Sequence, residues 1–252
     1  MIEIVPVALL EDNYAYLVHC GKTTVVVDPS EAAPVERALS ERGWVADAIL
    51  NTHHHWDHVN GNPELKAKYR CEVICARGDR GRVAGADREM EGGQKLSIGD
   101  LTFDVLFIPG HTLHHVALWL PEAQAVFTGD TLFLMGCGRL FEGTPAQMLA
   151  SLMLLARLPP ETKVYCGHEY TQASAQFAQS VTPADPQVRA RAGRVDALRV
   201  KGLPTVPGTI GEECATNPFV RVANEAFRNL VYPGESQLSA FTALRLRKDS
   251  YK

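Results

Sequence analysis

The 252-residue chain has no Cys-x-x-Cys pair, no apolar run approaching eighteen residues, and no block of basic residues. The missing apolar run excludes a bilayer-spanning helix, which needs roughly twenty such residues. The amino terminus, MIEIVPVALLED, lacks a basic segment and turns acidic early, so a signal peptide is not expected. The six cysteines (Cys20, Cys71, Cys75, Cys137, Cys166 and Cys214) are dispersed along the chain. Without an export signal they predict reduced thiols and a cytoplasmic setting, not a disulfide framework. Cys71 and Cys75, in the strand-like CEVIC, read as two small buried thiols and not as a metal clip. Residues 1–170 hold fourteen Lys/Arg against twenty-two Asp/Glu, a formal −8, and residues 171–252 hold eleven against seven, +4. No concentrated basic face is on offer, so nucleic acid and membrane surfaces are not expected partners. A mildly basic tail does permit a small anionic one. Internal repeats and low-complexity tracts are absent too.

What is present is ordinary globular composition, with 46% hydrophobic and 21% charged residues, on a chain long enough to bury a sizeable core. Short β-rich runs at 2–7, 15–19, 23–27 and 46–50 alternate with helical patterns at 33–42 and 62–69. Further strands are predicted at 73–76, 101–108, 116–120, 125–128 and 164–166, with loops between 77 and 100. Thr144–Pro145 predicts the start of the amphipathic helix AQMLASLMLLARL, with proline at its first position. Beyond Tyr170 the chain turns helical, interrupted by VTPADP, then by KGLPTVPGTIGEE, which reads as a long surface connection before a last helix at 235–248. The expected class is α/β: a mixed body over residues 1–170, with helices covering sheets, and a small helical domain over 171–252. Nothing predicts more than a monomer.

NTHHHWDHVNG, residues 51–61, puts four histidines and an aspartate into six positions after an apolar run. On an extended segment residues two apart point the same way, so His53 and His55 converge while His54 faces elsewhere. If the chain turns helical near Trp56, Asp57 and His58 aim back over the strand end. Two pairs of ligands suit two metal ions better than one, and Gly61 lets the backbone pass closely behind. His111 in IPGHTLHH, Asp130 in FTGDTLF and His168 in VYCGHEY each follow an apolar run and a glycine. One such junction is common; four with the same chemistry predict a metal centre. His19 and His54 read as ordinary hydrogen-bonded residues. His114 and His115 also stay outside the ligand set, with His115 as a support behind it.

THHHWDHVNG resembles the THxHxDHxxG motif of the metallo-β-lactamase superfamily, with His111, Asp130 and His168 at its later ligand positions. The resemblance implies an αββα sandwich. It also implies that His53, His55 and His111 hold one ion, Asp57, His58 and His168 a second, and that Asp130 bridges. Asp28, in VVVDPS, resembles the early aspartate that accepts hydrogen bonds behind the ligands. CGRLFEGT (137–144), GHEYT (167–171), NPFVR (217–221) and the terminal RLRKD (245–249) resemble the hydroxyacylglutathione hydrolase, or glyoxalase II, family over nearly the whole chain. That family implies hydrolysis of S-(2-hydroxyacyl)glutathione thioesters, chiefly S-D-lactoylglutathione, to glutathione and D-lactate, the second step of methylglyoxal detoxification. The implied cofactors are two divalent ions, zinc first, with iron or manganese as alternatives. The implied nucleophile is the metal-bound hydroxide, with no other catalytic group: coordination lowers the pKa of water to about 7. A thiol, with a pKa of about 8.5, leaves as thiolate without an obligatory proton donor.

By the same resemblance Arg139, Tyr170, Arg245 and Lys248 bind the glutathione moiety, arginine and lysine answering its carboxylate. From spacing alone Arg245 and Lys248 read as a solvated helix face; the R-x-x-K-D match is what reverses this. Three positions depart from the family pattern. Ser174 stands where asparagine is usual, His114 where glycine is usual, and Phe141 where some members carry tyrosine. The rival readings are a mononuclear iron dioxygenase acting on glutathione persulfide, a nuclease or lactamase of the same fold, and a non-enzymatic metal-stabilised module. The complete second ligand set opposes the first and the missing basic face opposes a nuclease. The His/Asp chemistry opposes the last, since structural zinc sites are closed and cysteine-rich.

Overall fold

A computed structural model describes residues 1–251 as two compact units. The first comprises Met1–Phe107 and His114–Gly129; the second takes Ile108–Leu113 and the chain from Asp130 onward.

In the first unit β1 (Ile2–Leu9), β2 (Asn13–Cys20) and β3 (Thr23–Val27) run antiparallel. Then come α1 (Ala32–Arg42), β4 (Ala48–Leu50), the single turn α2 (Trp56–Val59), α3 (Asn62–Tyr69), β5 (Glu72–Ala76) and β6 (Arg88–Met90). The sheet order is β1-β2-β3-β4-β5-β6, and β3 to β6 pair in parallel, with helices making the crossovers as far as β5 and residues 77–87 the last. Strands covered on both faces read as unbroken apolar runs, which is what the VVV of β3 and the AIL of β4 are. Val35 and Leu39 of α1 and Leu65 of α3 join Leu17, Val26, Ile49 and Val73 in one buried cluster. β7 (Lys95–Ile98), β8 (Leu101–Phe107), β9 (Val116–Leu120) and β10 (Ala125–Gly129) form an antiparallel meander. In β8, Leu101, Phe103 and Val105 are buried while the residues between them are half-exposed, the alternation of a one-sided sheet. The ring of Phe127 lies 6.5 Å from Phe103 and 5.4 Å from Tyr16, so the core continues between the two sets of strands.

One consequence of the parallel register governs the chemistry. Val27 pairs with Leu50, so β3 and β4 end at the same level. The next residues, Asp28 and Asn51, therefore start their loops side by side, and Asp28 N–H donates to the Leu50 carbonyl at 3.0 Å.

The second unit contains a tight hairpin of β11 (Leu132–Phe133) and β12 (Gly136–Cys137), then α4 (Pro145–Leu155), β13 (Lys163–Cys166), α5 (Thr171–Val181) and α6 (Pro186–Val200). β14 (Gly208–Thr209) pairs antiparallel with β13, followed by α7 (Ile210–Thr216), α8 (Pro218–Arg221), α9 (Glu225–Val231) and α10 (Gln237–Asp249). Phe177 stacks on Phe219 at 5.7 Å, and Phe219 meets Phe241 edge-on at 6.0 Å. Buried Arg191 pairs with Glu213 and bonds the Thr216 hydroxyl at 2.7 Å. Glu213 also accepts from the Met135 N–H at 2.8 Å and from Asn217 Nδ2 at 2.9 Å. Asn217 Nδ2 lies 2.9 Å from the Gly136 carbonyl as well, so this buried charge network ties α7 and α8 to the hairpin.

The expected strand at 46–50 is confined to Ala48–Leu50. Two short strands, β6 and β7, occupy the stretch expected to be loops: REM carries no apolar alternation and KLSI alternates over only four residues, so both gain order from neighbouring strands. The stretch expected as a surface connection holds β14 and α7, whose start is capped by the Thr209 hydroxyl accepting from Glu212 N–H. The VTPADP interruption separates α5 from α6, with Asp185 capping α6.

Candidate metal centre

In the first unit the ligand loop follows β4 and closes with α2. Asp28, held at φ 51°, accepts from Thr52 N–H at 2.8 Å and from the Thr52 hydroxyl at 2.6 Å. Its Oδ2 also lies 3.1 Å from His58 Nδ1. With the Thr52 hydroxyl proton committed to Asp28, its oxygen can only accept from His53 Nδ1, 3.0 Å away. The protons of both His53 and His58 are thereby placed on Nδ1 and their lone pairs on Nε2. His53 Nε2 lies 3.1 Å from His55 Nδ1 and His58 Nε2 lies 3.8 Å from Asp57 Oδ2. Ligand atoms of Asp28, His53 and His58 all fall within 4.8 Å of one another. Because Asp28 already serves three donors, it orients histidines and is not itself counted as a ligand.

Asp57 is held by residues the sequence did not single out. Asn13 Nδ2 donates to its carbonyl at 2.9 Å and to its Oδ2 at 3.1 Å, and the Ser30 hydroxyl donates to the same carbonyl. Asn51 Nδ2 donates to the His58 carbonyl at 3.1 Å and is locked by Asn62. No local motif marks Asn13, which lies 44 residues from Asp57. Gly61 passes so close to Pro29 that a Cβ would sit 2.7 Å from its carbonyl oxygen.

The second unit gathers His111, Asp130 and His168. Asp130 Oδ2 lies 3.4 Å from His111 Nε2 and 3.3 Å from His168 Nε2. His111 Nδ1 faces the Arg139 carbonyl at 2.8 Å, which fixes the proton on Nδ1 and the lone pair on Nε2. Gly138 is obligatory: a Cβ there would collide with the Asp130 carbonyl and stand 3.2 Å from His111 Nδ1.

A carboxylate oxygen midway between two imidazole nitrogens, all nearly buried, suits a divalent cation in its chemistry. So do three histidines whose Nδ1 protons are taken by oxygen acceptors, the arrangement that presents Nε2 as a metal ligand.

The residues expected to meet substrate are placed unevenly. Tyr170, 39% exposed, stacks on His168 with centroids 4.6 Å apart and 5° between planes. The Arg139 guanidinium, exposed, lies over Phe141 at 4.8 Å, and Phe141 meets His111 edge-on at 5.2 Å. Arg245 is buried instead: Nη1 donates to the Cys137 carbonyl at 2.8 Å, and Nε and Nη2 donate to Asp249 at 3.1 and 2.9 Å. Lys248 Nζ donates to the Ala173 carbonyl at 3.2 Å; burial, then neighbouring Arg245, lowers its pKa. Ser174 is buried against Gly136 and contributes packing there.

The remaining histidines fall outside the ligand groups. His19 bonds Thr24 and stacks on Trp44 at 4.2 Å. His54 turns to Asp79, 3.2 Å away, and His114 packs on Gly78. His115, fully buried, stacks behind His53 at 4.6 Å.

Comparison with known proteins fits this placement. The family model described as metallo-beta-lactamase superfamily matches residues 10–168, and that described as hydroxyacylglutathione hydrolase C-terminus matches 169–251. Among solved structures, ETHE1 from Myxococcus xanthus is 25% identical with a TM-score of 0.70, covering 100% of this chain and 92% of its own. The di-iron-bound form of TTHA1623 is 29% identical at a TM-score of 0.63, covering 86% and 99%. The BLEG-1 B3 metallo-beta-lactamase, 24% identical at a TM-score of 0.67 over 87% and 99%, shares the fold. Fold and site together define a metallo-β-lactamase-fold protein whose His/Asp groups bind divalent metal.

Curated relatives narrow the class. A hydroxyacylglutathione hydrolase of Methylococcus capsulatus is 48% identical over 100% of both chains. Another, of Rhodospirillum rubrum, is 47% identical over 99% of both. The chain belongs to the hydroxyacylglutathione hydrolase family.

Proposed function

We propose that this enzyme hydrolyses S-(2-hydroxyacyl)glutathione thioesters, chiefly S-D-lactoylglutathione, to glutathione and D-lactate, as the second step of methylglyoxal detoxification in the cytoplasm. His53, His55 and His111 hold one divalent ion, Asp57, His58 and His168 a second, and Asp130 bridges. The observation that carries this reading is the fixed tautomer of His53, His58 and His111, each with Nδ1 bonded to oxygen. Support for a pair of ions comes from the seven-donor set and from the structural relative TTHA1623, solved in a di-iron-bound form. Zinc, iron and manganese all suit imidazole and carboxylate donors, with zinc the first expectation. When bound, such ions polarise a carbonyl oxygen and lower the pKa of coordinated water to about 7.

The chain's own residues do the rest. Asp28 and Thr52 keep His53 and His58 in the ligand tautomer, and the Arg139 carbonyl does the same for His111. Asn13 steadies Asp57. Residues 1–170 act as the catalytic domain and 171–252 as the glutathione-binding domain. Tyr170 and Arg139 offer exposed polar groups beside His168 and His111. Lys248 answers a substrate carboxylate, while Arg245 contributes from behind by fixing the Cys137 carbonyl and Asp249.

The test is thiol release from S-D-lactoylglutathione by purified protein, before and after chelation, with metal content measured alongside. Turnover that falls with the metal and returns on zinc, iron(II) or manganese is expected. Full activity after complete metal removal overturns the proposal. In the same assay Lys248→Ala is expected to raise KM with kcat nearly kept, the sign of lost uniform binding. An unchanged KM places the anion cradle elsewhere.

A further inference from the structure

The GHEYT stretch places His168 and Tyr170 one residue apart on either side of a glutamate. His168 and Tyr170 stack, with ring planes 5° apart, while Glu169 has a different set of partners. Its carboxylate accepts from Thr205 N–H at 2.8 Å through Oε2 and from the Thr205 hydroxyl at 2.6 Å through Oε1. The Thr205 hydroxyl lies 2.6 Å from Thr171 Oγ1 as well. Having one proton, which the carboxylate takes as the stronger acceptor, Thr205 receives the Thr171 hydroxyl. Arg199 adds a weaker attraction, with its Nη1 3.7 Å from Glu169 Oε2.

We infer that Glu169 and Thr205 form a clasp that positions the stacked His168–Tyr170 pair. The inference rests on the proposed roles of His168 as ligand and Tyr170 as substrate contact. Three features favour a positioning role over general structural support. The carboxylate side chain is only 6% exposed, and its two oxygens are both engaged by one residue, so its orientation is determined. The clasped residue lies between His168 and Tyr170 in the chain, so any rotation of its backbone moves both. Thr205 belongs to the Pro/Gly-rich segment between α6 and β14, 36 residues away, which has no regular structure of its own to hold this strand end. Losing the clasp therefore releases the metal ligand and the substrate contact at once.

The expected signature is a joint change. Glu169→Ala should lower kcat by about tenfold or more, as partners behind metal ligands do, with weaker retention of metal under mild chelation. It should also raise KM several-fold through Tyr170. Glu169→Gln, which retains one acceptor oxygen, should recover part of both. Thr205→Val removes the hydroxyl and keeps the N–H, so it should act in the same direction and less strongly. A double-mutant cycle separates the clasp from two independent effects. If the two residues act as one device, Glu169→Ala with Thr205→Val is little worse in kcat/KM than Glu169→Ala alone. Should Glu169→Ala be poorly folded, the cycle is run from Glu169→Gln, with thermal melting as the check on folding. Wild-type kcat and KM in folded Glu169→Gln and Thr205→Val, or fold losses that simply multiply in the pair, overturn the clasp. His168→Ala is the control on the underlying reading. If it keeps full metal and full activity, the ligand role fails first; if it loses both while the Glu169 variants are unaffected, only the clasp fails.

Discussion

Asp28 is a charged residue doing what most side chains cannot. It sits at φ 51°, a conformation that costs a non-glycine residue roughly 1 kcal/mol, and asparagine and aspartate bear it best. The carboxylate, 3% exposed, repays that strain through the Thr52 N–H, the Thr52 hydroxyl and His58 Nδ1. Replacement by asparagine keeps the backbone preference and one oxygen, but puts an NH2 against a second donor. At the Oδ1 position that NH2 confronts the Thr52 N–H; at the Oδ2 position it confronts the Thr52 hydroxyl and His58 Nδ1 together, freeing His53 to change tautomer and driving the His58 proton to Nε2, the proposed ligand atom. Asp28→Asn is therefore expected to fold, to melt within a few degrees of wild type, and to lose metal affinity by about tenfold to a hundredfold. Metal content after dialysis, together with thermal melting, checks this. Full metal retention would mean that the tautomers are set by something other than Asp28. His115, stacked at 4.6 Å behind His53, restricts the ring's tilt but not its proton. It cannot replace Asp28.

At the scale of elements, α4 is the helix most completely specified by its own sequence. Thr144 Oγ1 accepts from Gln147 N–H, Gln147 Oε1 accepts from Thr144 N–H at 2.9 Å, and Pro145 occupies the first helical position. Thr144→Ala is expected to cost about 1 kcal/mol, read as a lower urea midpoint with an unchanged slope. An unchanged midpoint would show that α4 is held by its buried Met148, Leu152 and Leu155 alone. The same contrast explains which elements were legible. α4 and the strands from β1 to β5 announce themselves through caps, turns and apolar runs that lie within a few residues. β6, β7, β14 and α7 do not, because each is short: β6 and β14 take their order from strands more than ten residues away, and β7 and α7 carry too few residues for a pattern to show. The seven proposed ligands were readable for a related reason: histidine and aspartate at successive strand ends are a rare combination. Their supports were not, since Asn13 reaches Asp57 across 44 residues, Thr205 reaches Glu169 across 36 and Arg245 reaches Cys137 across 108. Arg245 shows the cost of local reading most clearly. Its helix position suggested solvent, whereas a carbonyl from the β11–β12 hairpin and the Phe219 ring 5.1 Å away enclose it.

For the whole molecule, metal binding and folding must be linked, because unfolded chain cannot assemble the donors proposed at 53–58, 111, 130 and 168. A ligand that binds only the folded form stabilises it by about 2.7 kcal/mol when present at a hundred times its dissociation constant. In a chain of this size, each kcal/mol moves the melting temperature by about 2–4 °C. Chelation is thus expected to lower melting by at least about 5 °C, reversibly, with zinc, iron(II) or manganese restoring it. It is not expected to unfold the chain. In the first unit Asp28, Thr52, His53 and His58 satisfy one another through hydrogen bonds printed into the fold, and the apolar cluster around Leu17, Ile49 and Leu65 does not depend on an ion. The six cysteines, none in a disulfide among the described residues, compete for metal in the unfolded state and reduce the shift when excess zinc is present, so manganese should show it most cleanly. Calorimetry on loaded and metal-free protein decides the matter. Identical melting curves would mean that ions, where bound, gain no more from the folded chain than from the unfolded one, which is incompatible with donors held ready by Asp28 and the Arg139 carbonyl.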